Sequence, residues 1–150
     1  MNIPGKAVTI LMADDDADDR LLAKDALAEC SLNGELHFVE DGEELFDYLE
    51  RRGKYAELAN SPRPSLILLD LNMPRKDGRE ALREIKSNPE FRKIPVIVLT
   101  TSNADTDIAQ IYDLGANSFI SKPVTFDSLV KMMRILGNYW CEIVELPAKK

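Results

Sequence analysis

Short apolar runs alternate along this chain with longer segments in which apolar residues recur every three or four positions. Short runs of this kind are typical of buried strands, whereas the wider spacing is typical of helices that bury one face. Five strands are predicted, over residues 7–13, 36–39, 65–70, 95–99 and 118–121. Five helices are predicted, over residues 17–30, 43–52, 79–86, 105–114 and 126–136. Because strand and helix alternate regularly, the pattern predicts an α/β fold, a doubly wound five-stranded parallel sheet with helices on both faces.

Two segments depart from this alternation. The connection over residues 53–64 is long and contains Tyr55, and a tolerated surface insertion is favoured there over a loop that binds a partner. The tail after residue 137 opens with an aromatic pair and has the β-branched and aromatic content of a strand. The predicted organisation is therefore one domain over residues 7–137, followed by a strand-like C-terminal extension over residues 138–150.

Composition and charge narrow the functional classes. The chain has 150 residues, of which 26 are acidic and 19 basic, and its net charge of −7 argues against a nucleic-acid surface, which needs a basic stripe. No apolar stretch approaches the roughly 20 residues that span a bilayer. The N-terminus lacks the apolar core of a signal peptide, so a cytoplasmic location is predicted. Cys30 and Cys141 form no spaced framework and are expected to stay reduced. His37 has no cysteine or second histidine nearby, so a zinc site is not expected there.

Asp70 ends an apolar run that would be apolar on both faces of a strand. Such a strand is expected in the middle of a helix-covered sheet, with its carboxyl end at the rim where open α/β sheets place their ligands. Asp14, Asp15 and Asp16 directly follow the first strand. If the two strands are neighbours, these carboxylates meet and repel one another, and a divalent cation such as Mg²⁺ would relieve the repulsion. Alone, the acidic triplet has a simpler interpretation, in which it caps the first helix and stabilises its dipole.

Two further strand ends carry polar residues. Thr100 follows the apolar part of the fourth strand, and Lys122 follows the fifth, immediately before Pro123. Alone, a threonine at such a position is most often a turn or cap residue, and a lysine is usually solvated. Because the carboxyl ends of parallel strands share one edge, we expect both to lie near the carboxylates.

Taken together, these motifs resemble those of the response-regulator receiver domain of two-component signalling, which has a flavodoxin-like fold. The matching positions are Asp14 and Asp15, Arg20, Asp70 with Leu-Asn-Met-Pro after it and Gly78, Thr100, and Phe119-Ile-Ser-Lys-Pro. Each motif is weak alone, but the ordered set is highly specific and covers about residues 7–137.

The resemblance implies a role for each residue of the acidic site. Asp70 would be the phosphoacceptor, which takes the phosphoryl group carried by a histidine kinase. Asp15 and Asp70 would bind Mg²⁺ directly, Asp14 mainly through water, and Asn72 through its backbone carbonyl. Beyond self-phosphorylation and autodephosphorylation, no enzymatic activity is implied.

The resemblance also implies which groups respond to the phosphoryl group. Lys122 would pair with its oxygens, and Thr100 would donate its hydroxyl to it. Phe119 would be the aromatic switch that turns inward as Thr100 moves, although the family more often has tyrosine there. The peptide bond between Lys122 and Pro123 would be cis.

The output is expected to be contact with other proteins, because the receiver pattern occupies almost the whole chain. The fifth helix is predicted to carry two apolar stripes: Leu129, Met133 and Leu136 form one, and Met132 and Ile135 form the other. The long connection and the tail resemble those of regulators that serve bacterial and cyanobacterial phytochrome kinases. The partners implied are a histidine kinase, with a bacteriophytochrome as the specific candidate, and a second copy of this chain joined through the fifth helix and the extension. Neither nucleic acid nor a membrane is expected.

Three other functions make different demands on the sequence. A phosphate shuttle in a phosphorelay fits the same motifs. A magnesium phosphohydrolase with an aspartate nucleophile would need a second acid two residues later, where this chain has Asn72. A nucleotide-binding α/β protein would need a glycine-rich phosphate loop, and the sequence contains none.

Overall fold

A single parallel sheet forms the centre of the computed structural model. The residues described are 8–28, 34–58, 63–71, 73, 76–100, 105–123, 125–137 and 139. The strands are β1 (Val8–Ala13), β2 (Gly34–Val39), β3 (Leu66–Leu69), β4 (Val96–Thr100) and β5 (Ser118–Ser121). They lie in the order β2-β1-β3-β4-β5, and every neighbouring pair is parallel. Because Ala13 pairs with both Val39 and Leu69, the three strands end level, and β1 and β3 are neighbours as the acidic site requires.

Within the described residues, five α-helices accompany these strands, as predicted. They are α1 (Ala17–Ala28), α2 (Gly42–Glu50), α3 (Gly78–Ser87), α4 (Asp105–Asp113) and α5 (Phe126–Gly137). Asp16 caps α1, since its carboxylate accepts the backbone N–H of Asp18 at 2.8 Å. The end of α2 differs from the prediction by two residues. Arg51 adopts a left-handed backbone with φ of 58°, and its N–H bonds back to the last turn of α2, which stops the helix there.

The core lies in two layers, one on each face of the sheet. In the first layer, Leu11, Ile67 and Val98 pack with buried residues of α2, α3 and α4. In the second, Ile10, Leu68 and Ile97 pack with buried residues of α1 and α5. Successive residues of β1, β3 and β4 contribute alternately to the two layers. This confirms the doubly wound arrangement, in which helices cover both faces of the sheet. All four residues of β3 are at most 1% exposed, as expected of a central strand.

The predicted two stripes of α5 are only partly found. Val130 and Met133 are buried, and Leu129, Met132 and Leu136 pack against the same core layer. Met132 therefore belongs to the core-facing side, because a broad apolar arc of the helix lies on the sheet. Ile135 alone among the predicted stripe residues is highly exposed, at 62%.

The described part of the long connection packs on its own domain. A short 3-10 helix spans Gly53–Leu58. The Tyr55 hydroxyl donates to the Glu44 carboxylate of α2, and the Tyr55 ring meets the Tyr48 ring edge-on at 5.1 Å between centroids. Lys54 adds an ion pair to Glu44 at 2.9 Å. These contacts favour the interpretation of a surface insertion over residues 53–58, and residues 59–62 lie outside the described part.

Several sequence-based predictions fall outside the described residues. These are Asn72, the ends of the first strand and first helix at residue 7 and residues 29–30, and the extension except for Tyr139. Tyr139 is assigned to helix, and the strand-like extension over residues 138–150 stays a prediction because its other residues are outside the described part. Among the helices of the described part, none is long and apolar enough to cross a membrane.

Candidate phosphoryl and metal site

Backbone hydrogen bonds fix the two acidic strand ends against each other. The Asp14 N–H donates to the Val39 carbonyl at 3.0 Å, and the Asp70 N–H donates to the Ala13 carbonyl at 3.0 Å. These two hydrogen bonds extend the pairing pattern of the sheet by one residue beyond the ends of β1 and β3. Both aspartates leave the sheet at the same edge, in line with the general placement of ligands in α/β folds.

Three carboxylates meet at this edge. Asp14, Asp15 and Asp70 each offer one oxygen, and these oxygens all lie within 4.8 Å of one another. Asp14 is fully buried, Asp70 is 6% exposed, and Asp15 is exposed. The structure therefore brings together the three carboxylates that the sequence assigned to one site.

The cluster fits a divalent cation. The Oδ2 atom of Asp14 is buried and accepts no hydrogen bond, and its charged contact is the ammonium of Lys122 at 2.9 Å. Burial raises the pKa of Asp14 against the opposing effect of Lys122, so the anion is held at a cost in free energy. A hard cation that prefers oxygen ligands would relieve this cost. The side chains that could hold it are those of Asp14, Asp15 and Asp70.

Lys122 lies beside the carboxylates, as predicted. Its ammonium donates to Asp70 Oδ2 at 3.2 Å and to Asp19 Oδ2 at 2.7 Å. Burial favours the neutral amine, but the carboxylates of Asp19 and Asp14 outweigh it and raise the pKa of Lys122 well above its ordinary range. Lys122 is therefore a cation at any physiological pH.

Asp19 was not singled out from the sequence. It lies in the first turn of α1, where acidic residues are common because they stabilise the helix dipole. Its contact with Lys122 joins positions 103 residues apart. The local sequence pattern carries no signal for this contact, because helical spacing relates only residues of the same helix.

Arg20 supports the site from the backbone side. Its guanidinium Nη1 donates to the Asp14 carbonyl at 2.7 Å and lies near Glu40, with Nη2 3.8 Å from the carboxylate. The Asp14 carboxylate Oδ1 in turn accepts the backbone N–H of Asp16 at 2.9 Å. These contacts fix the turn between β1 and α1, on which three of the acidic residues lie.

The remaining predicted residues lie on β4, β5 and the loop after it. Thr100 ends β4, paired with Ser121, and its side chain is outside the described part. Phe119 is partly buried against the core, and its backbone N–H donates to the Tyr112 hydroxyl of α4 at 3.1 Å.

The predicted cis bond between Lys122 and Pro123 is not found, since the described residues contain no cis peptide bond. The trans form is favoured by about 0.5–1 kcal/mol for a bond before proline.

Comparisons with known proteins agree with this geometry. A family model described as the response regulator receiver domain matches residues 10–134. Response regulator Rcp1 of Synechocystis sp. is 43% identical over 141 residues, which cover 94% of this chain and 93% of Rcp1. A crystal structure of the Mn²⁺-bound form of Rcp1 has a TM-score of 0.84 at 42% identity and covers 94% of this chain and 99% of that one. The phosphorylated cyanobacterial phytochrome response regulator RcpA has a TM-score of 0.86 at 41% identity and covers 95% of this chain and 99% of that one.

Proposed function

Because the chain belongs to the response regulator receiver domain family, we propose that it is a switch set by phosphorylation of Asp70. A carboxylate oxygen of Asp70 attacks the phosphorus of a phosphohistidine on a kinase. The N–P bond breaks, an acyl phosphate forms on Asp70, and the histidine nitrogen leaves with the bonding electron pair. The observation that carries this proposal is the position of Asp70, at the end of β3 and 3.2 Å from the Lys122 ammonium.

The metal proposed for this step is Mg²⁺. Asp15 and Asp70 would hold it directly, Asp14 mainly through water, and Asn72 through its backbone carbonyl. The Mn²⁺-bound form of Rcp1 supports a divalent ion in such a site. When bound, the ion would neutralise charge on the phosphoryl oxygens during transfer.

Charge balance explains the need for both cations. Asp14, Asp15 and Asp70 carry about −3 together, and a divalent ion with Lys122 restores about +3. Phosphorylation replaces about −1 on Asp70 with about −2. The lysine and the metal therefore stabilise the product more than the resting state, which favours transfer to Asp70.

The response to phosphorylation is proposed to pass through β4 and β5. Thr100 would donate its hydroxyl to the phosphoryl group, and Phe119 would turn inward as Thr100 moves. Phe119 is bonded through its backbone to Tyr112 of α4, so a change at this position of β5 reaches α4 directly. The signal would leave the molecule by contact with other proteins, in the cytoplasm.

The proposed kinase is a phytochrome. RcpA is described as a cyanobacterial phytochrome response regulator, and it covers nearly all of this chain. Profiling of phosphotransfer from a panel of histidine kinases, with light-sensing kinases included, would test this assignment. Preferred transfer from a kinase with no light-sensing domain would contradict it.

The proposed switch differs from a phosphohydrolase or a phosphate shuttle in how fast the phosphoryl group leaves Asp70. The chain is incubated with acetyl phosphate and Mg²⁺, and its intact mass is followed together with free phosphate. We expect one acid-stable, base-labile phosphoryl group per chain and slow phosphate release. Steady phosphate release at enzyme-like rates would favour a phosphohydrolase instead. Rapid onward transfer to a histidine phosphotransfer protein would favour a shuttle.

The proposed homodimer would use α5 and the C-terminal extension. Ile135 is 62% exposed on α5 and offers an apolar contact to a second copy. Deletion of residues 138–150 is expected to shift the chain from dimer to monomer in light scattering at micromolar concentration. The substitution Ile135→Ser serves as a separate probe of the α5 part of the interface. An unchanged mass for the truncated chain would contradict the role of the extension.

A further inference from the structure

Asp19 makes the shortest contact of the Lys122 ammonium, yet the phosphoryl chemistry above does not use it. We propose that Asp19 is a positioning residue that competes with Asp70 for Lys122 and thereby slows phosphoryl uptake. In the resting chain Asp19 holds the ammonium on the α1 side of the site. On phosphorylation the ammonium moves to the phosphoryl oxygens and gives up Asp19. This inference rests on the proposed function and deepens it.

The Lys122 ammonium lies close to three carboxylates at once. The Nζ atom of Lys122 lies 2.7 Å from Asp19 Oδ2, 2.9 Å from Asp14 Oδ2 and 3.2 Å from Asp70 Oδ2. The ammonium donates hydrogen bonds to Asp19 and Asp70 and is in ion-pair contact with Asp14, so three carboxylates share its charge. A phosphoryl oxygen that approaches the ammonium must compete with these carboxylates for it. Asp14 is buried and fixed by the backbone, whereas Asp19 has a side chain that is 33% exposed and can be hydrated.

The surroundings favour a tight contact between Asp19 and Lys122. Both residues line a small cavity of about 40 Å³ between α1 and the start of α5, whose other walls include Met12, Leu99 and Leu129. Apolar walls weaken screening by water, so the charged pair interacts more strongly than a pair on an open surface. The Lys122 side chain is only 15% exposed. Its ammonium therefore depends on protein carboxylates for most of its hydrogen bonds.

The contact between Asp19 and Lys122 reduces the net stabilisation that Lys122 gives to phosphorylated Asp70. When Asp70 is phosphorylated, Lys122 exchanges a charge-assisted hydrogen bond to Asp19 for one to a phosphoryl oxygen. Without Asp19 the ammonium, which already donates to Asp70 at 3.2 Å, would be shared by two carboxylates instead of three. Removing the Asp19 charge should therefore raise the rate of uptake, although it removes a contact that the resting fold contains.

Asp18 provides a matched control. It lies in the same first turn of α1, carries the same charge and is exposed. Its replacement has the same effect on net charge and nearly the same effect on the helix dipole. A difference between Asp19→Asn and Asp18→Asn therefore reports the contact with Lys122.

The test is the initial rate of phosphoryl uptake from acetyl phosphate with saturating Mg²⁺. In this reaction a P–O bond to Asp70 forms, the P–O bond to acetate breaks, and acetate leaves with the electron pair. We expect Asp19→Asn to be about threefold to tenfold faster than the wild-type chain, the range for loss of one competing charged hydrogen bond. Asp18→Asn should stay within about twofold, and Asp19→Glu, which retains a carboxylate, should return the rate toward that of the wild-type chain.

The outcomes separate this inference from the proposed function. If the wild-type chain takes up no phosphoryl group, the proposed function itself fails. If the wild-type chain is phosphorylated but Asp19→Asn is no faster than Asp18→Asn, only the competition is overturned. Equal acceleration by both substitutions would show a general charge effect and would also overturn it. Thermal melting of each variant checks folding, and Asp19→Ser replaces Asp19→Asn if the latter does not fold.

Discussion

Replacing Asp70 with asparagine is expected to abolish phosphoryl uptake, with a loss of at least about a hundredfold, while the fold remains intact. The amide of asparagine is a poor nucleophile and cannot form the acyl phosphate. Neither Asp14 nor Asp15 can substitute for it, because Asp14 is fully buried and Asp15 is on the turn before α1. Intact-mass measurement after incubation with acetyl phosphate and Mg²⁺ should show no added phosphoryl group.

The fold should tolerate this change. Asp70→Asn loses a charged contact with Lys122, but it also removes one of three carboxylates whose oxygens lie within 4.8 Å of one another. These effects oppose each other, so the free energy of unfolding should change by no more than about 1 kcal/mol. Asp25→Asn, an exposed change on α1, is the matched control and should keep full uptake. Retention of uptake at a single site in Asp70→Asn would contradict the assignment.

The sequence predicts the sheet and the acidic site because both depend on local patterns. The run before Asp70 is apolar at every position, and this alone indicates a central strand. The carboxylates follow the strands directly, so their placement at one edge needs only the rule for parallel sheets. The position of Lys122 beside Asp70 follows in the same way, since it comes directly after β5.

The features that were missed depend on long-range packing. The pairing of Asp19 with Lys122 requires the start of α1 to approach the end of β5. The spacing of apolar residues along the chain does not predict the distance between these two elements. Met132 was assigned to a second stripe because helical spacing alone does not set how α5 is rotated on the sheet. The early end of α2 at Glu50 depends on Arg51 in a left-handed conformation, which a sequence without glycine at that position does not indicate.

Gly78 is a second position where one substitution should have a large effect. It begins α3, and the carboxylate of its neighbour Asp77 caps the helix. The Gly78 N–H donates to the Leu71 carbonyl at 2.9 Å, which folds the loop after β3 back onto the end of the strand. A Cβ at this position would lie 2.5 Å from Leu71 Cα and as close to the backbone carbonyl oxygen of Asp70. Real Cβ atoms essentially never come within 3.0 Å of another heavy atom in this way.

We therefore expect Gly78→Ala to be strongly destabilising. Alanine is the better helix former, but that preference is worth at most about 1 kcal/mol. The clash is with backbone that is bonded into the sheet, so neither partner can move without loss of hydrogen bonds. A net decrease of about 2–4 kcal/mol in the free energy of unfolding is expected, measured by urea denaturation. Arg83→Ala, an exposed change on the same helix, should change it by less than about 0.5 kcal/mol.

The same substitution should slow phosphoryl uptake even where the variant is folded. The added methyl group presses on the Asp70 carbonyl, so it displaces the backbone that carries the nucleophile. Displacement of a reacting group by about 1 Å can reduce a rate by about a hundredfold. Uptake measured at a temperature where more than nine-tenths of the Gly78→Ala chain is folded should therefore be at least about tenfold slower than in Arg83→Ala. A destabilised variant with the uptake rate of the control would show that the close approach of Gly78 to Asp70 serves stability alone and does not position the nucleophile.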